Sequence, residues 1–562
     1  FWDGLQAVTG EQSPVLLEVG PGRTLASLAR PAWTAARPLE ILSSIRHPQD
    51  DLDDATVLQT TLGRLWLAGV PIDWTGYHGW ETRRRVPLPT YPFERQRHWI
   101  VSGTAAAASK AERTPTLGKR SDVASWFYVP SWRRAVAPRP AAAGAEAAWL
   151  VFADDVGLAS AVAGRLRKAG ADVTTVVAGE KFSRLEGGDF TLGSDGRRDY
   201  DRLVAELTRG RAFPSRVLHL GSVVAEGEPS AERPDEAARG FYSLLFLAQA
   251  LADASVRAPI ALGVVVNRLH DVTGDAVIRP ERATVLGPAR VIPQEYANIR
   301  CRVIDVTLPE DGRAAEALAA QLIAELDEPD DAPVVAYRGA HRWLQTFASA
   351  PLAVAPVGAT LRPHGVYVIT GGLGGLGLVI ARHLAETMQA RLVLIGRSAL
   401  PPREAWGPWL ESHPDDDATA ARIRAVQAIE TAGGEVLALS ADVADRPGLA
   451  RALDEARRRF GQIHGVVHAA GTAGGGIIAL KTTEIADRVL ESKVQGTLAL
   501  WDLLGDQELD FLFLCSSITA VVGGPGQVDY CGANAFLDAF ARSRATSGAG
   551  PRVISVNWDA WQ

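Results

Sequence analysis

Four residues near the C-terminal end of the sequence have the types and spacing needed to protonate an oxyanion. Tyr530 follows Ser517 by 13 residues and Lys493 by 37, and Asn534 follows Tyr530 by four. A phenol, whose ordinary pKa is about 10, donates its proton more readily when a nearby ammonium group stabilises the phenolate, a charge that Lys493 would supply. Ser517 would donate a hydrogen bond to a carbonyl, and Asn534 would hold a water in a proton relay. Taken alone, each residue type also fits a structural role.

The stretch Val366–Ala385, VYVITGGLGGLGLVIARHLA, could bind the hydride donor for such a reaction. Four apolar residues predict a buried strand, and a glycine-dense turn and a helical pattern follow. Glycines allow a tight turn and close approach of backbone N–H groups to a pyrophosphate, which the helix N-terminus also attracts. A glycine-rich structural turn is the alternative. The turn residues that we expect to bind a dinucleotide are Thr370, Gly371, Gly372, Leu373, Gly374, Gly375, Leu376 and Gly377.

Later strands add further candidates for the cofactor site. The second strand, Arg391–Ile395, leads into Gly396, Arg397 and Ser398. An arginine at this place can bind a ribose 2′-phosphate through two hydrogen bonds, so Arg397 favours NADPH over NADH. Small residues after the fourth strand would let a nicotinamide ribose lie close. The predicted cofactor contacts outside the glycine turn are Arg397, Ser398, Asp442, Val443, Ala469, Ala470 and Gly471.

Composition excludes several classes of protein. The net charge of −7, without a basic stripe, argues against a nucleic-acid partner. No apolar run is long enough to span a membrane, and no signal peptide is present. Three cysteines are too few for a disulfide framework, which favours a reducing cytoplasm. We expect no metal site. Because the chain starts at Phe1 and its only methionine is Met388, we expect a fragment of a longer polypeptide.

Alternating strand and helix patterns predict an α/β fold with two Rossmann-like, doubly wound parallel-sheet subdomains. The first, 122–350, lacks a glycine turn: its first strand ends at Asp154 and Asp155, whose carboxylates would repel a pyrophosphate. His219 and His270 there are expected to be core or surface residues. The second, 362–562, carries the glycine turn. Linkers are predicted at 101–121 and 351–361, and a small α/β segment at 1–100.

The segment Phe511–Asp538, FLFLCSSITAVVGGPGQVDYCGANAFLD, resembles the active-site stretch of ketoreductase domains in modular type I polyketide synthases, members of the short-chain dehydrogenase/reductase superfamily. Lys493, within SKVQG, also matches this branch. The resemblance implies that Tyr530 is the acid, Ser517 the carbonyl donor, and Lys493 and Asn534 their support. It implies NADPH-dependent reduction of a β-ketoacyl thioester, carried on the phosphopantetheine of an acyl carrier protein, to the β-hydroxyacyl thioester.

The remaining sequence resembles other parts of such a synthase. Residues 122–345, including Gly287–Glu295, resemble the degenerate structural half of the reductase. Residues 1–100 resemble an acyltransferase tail and its linker through Val15–Gly22 and Leu88–Trp99, without the Gly-His-Ser nucleophile motif. The partners that the resemblance implies are the ketosynthase and acyltransferase of the same synthase, and a homodimer is the expected state of the parent synthase. Family members continue beyond the sixth strand, so we expect a truncated C-terminus. A catalytically silent scaffold and a stand-alone alcohol dehydrogenase are the rival interpretations.

Overall fold

The computed structural model describes residues 1–8, 15–30, 40–81, 121–139, 147–193, 196–209, 213–225, 237–274, 277–328, 332–353, 360–414, 416–472, 474–505, 507–547 and 550–559. Two compact units are present, Phe1–Thr116 and Leu117–Gln562, and their division falls within the predicted linker 101–121. The stretch Leu88–Trp99 lies outside the described residues, as do most of the predicted linkers.

The described residues of the first unit form two short parallel strands and four α-helices. Its elements are α1 (Trp2–Val8), β1 (Leu16–Glu18), α2 (Thr24–Ala29), β2 (Ile41–Ser43), α3 (Asp54–Leu67) and α4 (Trp74–Tyr77). The Glu18 carboxylate accepts hydrogen bonds from the backbone N–H groups of Leu25 and Ala26 and so satisfies the N-terminus of α2. Asp53 caps α3 in the same way.

The second unit begins with a ten-stranded sheet flanked by five helices. The strands are β3 (Tyr128–Ala135), β4 (Ala148–Phe152), β5 (Asp172–Ala178), β6 (Ser183–Arg184), β7 (Phe190–Leu192), β8 (Arg216–Ser222), β9 (Ile260–Asn267), β10 (Ile299–Val306), β11 (Val334–Arg338) and β12 (His341–Ser349). The helices are α5 (Leu158–Lys168), α6 (Arg197–Thr208), α7 (Ser243–Asp253), α8 (Leu286–Glu295) and α9 (Gly312–Asp327).

The strand order is β3-β12-β11-β10-β9-β8-β4-β5-β7-β6. The inner strands are parallel as predicted, but β3, β12 and β6 pair antiparallel at the edges. The five strands predicted for this sheet, β4, β5, β8, β9 and β10, all pair with one another in parallel. A tight turn with Gly339 at φ +58° joins β11 to β12 directly, and such a short connection can only reverse the chain.

The first strand of this sheet ends in a carboxylate that occupies a helix N-terminus. Asp154 accepts hydrogen bonds from the backbone N–H groups of Gly157, Leu158 and Ala159 at 3.0–3.2 Å. Burial raises the pKa of Asp154. In a dinucleotide fold the equivalent N–H groups bind a cofactor phosphate. Here the Asp154 carboxylate occupies that place instead. This geometry agrees with the prediction of a nucleotide fold without a nucleotide site.

A second, six-stranded sheet follows in the order β15-β14-β13-β16-β17-β18, with every pair parallel. Its strands are β13 (Val366–Thr370), β14 (Arg391–Gly396), β15 (Glu435–Ser440), β16 (Gly465–His468), β17 (Phe511–Ser517) and β18 (Arg552–Trp558). Its helices are α10 (Gly375–Met388), α11 (Trp406–Ser412), α12 (Ala418–Thr431), α13 (Arg446–Phe460), α14 (Thr483–Leu504), α15 (Thr519–Val522) and α16 (Val528–Ser547). The chain order reverses between β13 and β16, which opens a crevice at the carboxyl ends of these strands.

The two sheets of this unit share a core through α8 and α16. A Cβ at Gly287 on α8 would lie 2.3 Å from the carbonyl oxygen of Val528 and 2.8 Å from the backbone nitrogen of Gly532 on α16. Glycines therefore let the two backbones meet. Phe241 and Ile478, from opposite halves, pack in one buried cluster. The first sheet thereby supports the helix that carries Tyr530.

Candidate active site

A cleft of about 450 Å³ lies at the carboxyl ends of β13, β14, β15 and β16. Every residue predicted to bind the cofactor lines it except Thr370 and Gly372. Gly374 precedes α10 without a side-chain cap, so the first backbone N–H groups of that helix remain available to an anion. A pyrophosphate fits this cradle in charge and in shape.

Gly371, Gly372 and Gly377 of the turn cannot carry a side chain without moving the backbone. Gly371 has φ +66°, and a Cβ there would lie 2.7 Å from the carbonyl oxygen of Ala469. A Cβ at Gly377 would lie 2.4 Å from the carbonyl oxygen of Gly371. At Gly375 a Cβ would meet no atom within 4 Å. The turn thus needs glycine at particular positions and tolerates alanine at another.

Gly377→Ala is expected to destabilise the protein, whereas Gly375→Ala is not. The added methyl at 377 forces α10 away from the turn, at a cost of about 1–3 kcal/mol for overpacking. At position 375 the methyl enters open space, and alanine favours the helix. Urea unfolding of both variants measures the difference. Equal free energies of unfolding would show that the turn does not require glycine at 377.

Thr370 and Gly372 lie beneath the cleft rather than along its wall. Thr370 is fully buried, and its hydroxyl lies 2.7 Å from Nδ1 of His468, which ties β13 to β16. Burial, and then the charge of Lys493, lowers the pKa of His468 to about 3, so this ring is neutral. A Cβ at Gly372 would collide with Leu394. His468 was not a sequence candidate, because a histidine ending a strand carries no signal of its partner.

Three arginine side chains line the cleft. Arg397 follows β14 and is exposed, as the prediction of a phosphate contact requires. Arg422 on α12 and Arg488 on α14 also line the cleft. Sequence reasoning missed both, because only the fold decides how close α12 and α14 come to Arg397 in space. The site can therefore offer more than one guanidinium to a phosphate.

The structure brings Lys493 beneath the ring of Tyr530. The ammonium nitrogen lies 5.9 Å from the centre of the phenol ring and donates a 2.9 Å hydrogen bond to the carbonyl oxygen of Cys515. Lys493 is 3% exposed. Burial lowers its pKa to about 8, against the smaller opposing effects of Cys515 and Asp538. The lysine is therefore a buried cation next to the predicted acid, separated from it by 37 residues of sequence.

Asn534 and Ser517 complete the predicted constellation in different ways. Asn534 donates a 2.8 Å hydrogen bond from Nδ2 to the carbonyl oxygen of Tyr530, and its Oδ1 is buried without a partner. Such an orphaned acceptor suits an ordered water. The Ser517 hydroxyl lies 3.2 Å from the Thr519 hydroxyl. Among the described residues the Tyr530 hydroxyl has no hydrogen-bond partner, so it is available to a substrate.

Two carboxylates that sequence reasoning missed, Asp538 and Asp529, bind residues next to the active site. Asn557 on β18 donates from Nδ2 to the Ser517 carbonyl at 3.1 Å and to the Asp538 carboxylate at 2.8 Å. Burial raises the pKa of Asp538. Asp529 accepts a 2.9 Å bond from Lys481, and neither side chain is exposed. In the sequence, only the position of Asp538 two helical turns after Tyr530 could have indicated that this carboxylate lies near the active site.

Comparison with known proteins bears on the part of the chain that holds this site. Residues 365–562 match the KR domain family. Residues 148–325 match a second family, described as beta-ketoacyl synthase-like, N-terminal. An acyltransferase tail over residues 1–100 is not shown by these matches.

Relatives of known sequence and structure are polyketide synthases and ketoreductases. A phenolphthiocerol/phthiocerol polyketide synthase from Mycobacterium tuberculosis is 33% identical over 66% of this chain and 20% of its own length. Polyketide synthase PksL of Bacillus subtilis is 29% identical over 92% of this chain and 11% of its own. A solved structure of A-type ketoreductases from a modular polyketide synthase covers 78% of this chain and 84% of its own, with 27% identity and a TM-score of 0.59.

These matches confirm the predicted α/β fold and the predicted ketoreductase, whose family model covers residues 365–562. The KR domain match covers the glycine turn, Lys493 and Tyr530. The chain spans a fifth or less of the length of the two curated relatives named above. Within the described residues, no helix combines the length and apolarity that a membrane crossing needs.

Proposed function

We propose that this chain reduces a β-ketoacyl thioester, held on the phosphopantetheine arm of an acyl carrier protein, to the β-hydroxyacyl thioester with NADPH. The observation that carries the proposal is the buried Lys493 ammonium beneath the Tyr530 ring, next to a glycine-lined cleft. A structural tyrosine does not need a desolvated cation at its face. A proton donor does, because the cation stabilises the phenolate left behind.

The cleft would hold the cofactor with its phosphates on the backbone N–H groups that begin α10. Arg397, with Arg422 near it, would bind a 2′-phosphate. Ala469, Ala470 and Gly471 lack bulky side chains, and a Cβ at Gly471 would lie 3.1 Å from Cε of Lys493. The reduced nicotinamide, when bound there, supplies the hydride that reaches the ketone carbon.

The residues around the ketone would supply the proton and hold the oxygen. The Ser517 hydroxyl donates a hydrogen bond to the ketone oxygen and orients it. Tyr530 gives its phenolic proton to that oxygen as negative charge develops there. Lys493 stabilises the phenolate, and a water at Oδ1 of Asn534 returns a proton from solvent. Asn557 and Asp538 keep the end of β17, and therefore Ser517, in place.

The proposed setting is a multidomain synthase. Because the relatives are multidomain polyketide synthases, other domains of the same polypeptide are the expected neighbours. We infer that residues 1–100 are the tail of an acyltransferase domain and its linker, and that an acyl carrier protein delivers the substrate. The three cysteines are buried and unpaired, which fits a reducing cytosol.

The direct test is oxidation of NADPH by the purified chain with a short β-ketoacyl thioester, beside a titration of NADPH binding. Turnover supports the reductase. NADPH binding without turnover, or no binding at all, would support the rival view that this segment is a silent scaffold.

Arg397→Ala is expected to weaken NADPH binding about tenfold or more while leaving NADH binding nearly unchanged. The substitution removes a charge-assisted contact, worth about 1.5–3 kcal/mol, that Arg397 can make only with the 2′-phosphate of NADPH. Fluorescence titration with both cofactors measures the ratio. An unchanged NADPH:NADH preference would assign the 2′-phosphate to another group, and Arg422→Ala is the variant to examine beside it.

A further inference from the structure

We propose that Glu295, at the end of α8 in the subdomain without a nucleotide site, is a positioning residue that holds both loops at the mouth of the active site. The inference rests on the proposed reduction for its kinetic consequences, but not for its structural ones. The two loops are loop A (residues 474–481) before α14 and loop B (residues 523–527) before α16.

One carboxylate binds the main chain of both loops. Oε2 of Glu295 accepts a hydrogen bond from the Ile478 backbone N–H at 2.7 Å. Oε1 accepts one from the Gly526 backbone N–H, also at 2.7 Å. Hydrogen bonds to an ionised acceptor are the stronger kind, and here they join three segments that are far apart in sequence.

The loops meet where the carboxylate binds them. Gly526 has φ +79°, and a Cβ there would lie 3.7 Å from the backbone nitrogen of Gly476. Gly474, at the start of loop A, lies against the acid: its Cβ would be 2.8 Å from Cβ of Tyr530. Loop B runs directly into the helical turn that carries Tyr530. A shift of either loop would therefore move the helical turn that carries Tyr530.

Neighbouring groups act on the same main chain. Gln249 donates from Nε2 to the carbonyl oxygens of Ile478 and Lys481, both at 2.7 Å. Gln294 donates to the carbonyl oxygen of Val522 at 2.7 Å. From the catalytic side, the Lys481 ammonium binds the carbonyl oxygen of Gly475. Glu295 is the group in this set whose two oxygens reach both loops.

The position of Glu295 has an electrostatic cost that its partners offset. It is the last residue of α8, where the helix dipole disfavours a negative charge. The backbone N–H dipoles of loops A and B, whose positive ends point at the carboxylate, compensate for this cost. A carboxylate that served only α8 would be better placed in its first turn.

Exposed apolar side chains on and beside these loops suggest that the loops contact the acyl chain of the substrate. Ile477 and Leu480 in loop A, and Val522 just before loop B, are exposed apolar residues of the segments that meet beside Tyr530. An acyl chain entering the site would contact them. Loosening the loops should therefore weaken productive binding of the acyl thioester more than it weakens binding of the cofactor, because no residue of loops A and B lines the cofactor cleft.

The test compares Glu295→Ala, Glu295→Gln and a matched control, Asp311→Ala, in the full chain. Asp311 is an acidic residue of the same subdomain that caps α9 through the Ala314 N–H and has no described contact with loops A and B. Hydrogen–deuterium exchange of residues 474–481 and 523–528 is measured first, and it needs no turnover. Kinetics with NADPH and a short β-ketoacyl thioester, and an NADPH titration, follow.

We expect Glu295→Ala to speed exchange in both loops about tenfold or more and to raise the KM of the acyl thioester by a similar factor, because two charge-assisted hydrogen bonds are lost. NADPH affinity should stay within about twofold, since its cleft is untouched. Glu295→Gln keeps one acceptor and sets an N–H₂ against the other N–H, so it should fall between. Asp311→Ala should change neither the exchange of the loops nor the KM.

Unchanged exchange in loops A and B with Glu295→Ala would overturn the proposal. Equal increases with Asp311→Ala would also overturn it, because general destabilisation would then be the cause. Absence of turnover in the unmodified chain would refute the proposed reduction alone, and the exchange result would still decide the role of Glu295.

Discussion

Tyr530→Phe is expected to lower turnover of a β-ketoacyl thioester by about 10²- to 10⁴-fold, the usual contribution of a positioned general acid. The substitution removes one oxygen atom and keeps the ring that packs near Lys493. Because the Tyr530 hydroxyl has no hydrogen-bond partner among the described residues, its loss leaves no orphaned group behind. The fold and the cofactor cleft should therefore be unchanged. NADPH oxidation measured by absorbance gives the rate.

The same preparations should be titrated with NADPH and unfolded in urea. The affinity and the free energy of unfolding should match those of the unmodified chain, because Tyr530 does not line the cofactor cleft. A mutant that still turns over at a comparable rate would show that another group delivers the proton. A strong loss of NADPH affinity would count against the assigned role as well.

Lys493→Met is expected to reduce turnover by about 10²-fold or more, because the phenolate formed at Tyr530 would lose its nearby cation. In the unmodified chain, kcat/KM should fall as pH rises through about 8, the pKa to which burial lowers Lys493, because only the protonated lysine carries the charge. Methionine keeps an apolar chain of similar length in the same space. A pH–rate profile of the free enzyme and of the variant measures both effects.

The pH dependence of the free energy of unfolding distinguishes a loss of the lysine charge from misfolding of the Lys493→Met variant. The folded chain holds the Lys493 proton less tightly than the unfolded chain, whose lysine has a pKa near 10.5. The free energy of unfolding should therefore increase as pH rises from about 8 to about 10.5, and this increase should be absent from the variant. A pH-independent kcat/KM in the unmodified chain, with full activity in Lys493→Met, would remove the lysine from the mechanism.

Much of the catalytic half could be predicted from the sequence because its signals are local. The strand, glycine turn and helix of Val366–Ala385 occur in order within 20 residues, and each is set by steric needs of adjacent residues. The fixed spacing of Tyr530 and Asn534 on one helix is likewise a local property. In the other half, the missing glycine turn after β4 is likewise a local signal, from which we predicted that no dinucleotide binds there.

The groups that sequence reasoning missed come from distant segments. Arg422 and Arg488 reach the cleft only because α12 and α14 pack on opposite faces of the six-stranded sheet, each in its own buried cluster. Glu295 reaches loops A and B only because glycines at the α8–α16 contact let the two subdomains approach. No periodicity along the chain encodes such distances, since they depend on how packed helices cross.

The sequence by itself therefore determined which residue types could do the chemistry, namely a phenol, a lysine and a glycine turn. Only the tertiary structure decided how those residues are tuned and held. It places Lys493 beneath Tyr530 and lowers its pKa through burial, a property of the surrounding atoms rather than of lysine. It also puts a carboxylate of the other subdomain against the loops of the active site, because hydrogen bonds depend on distance in space and not on distance along the chain.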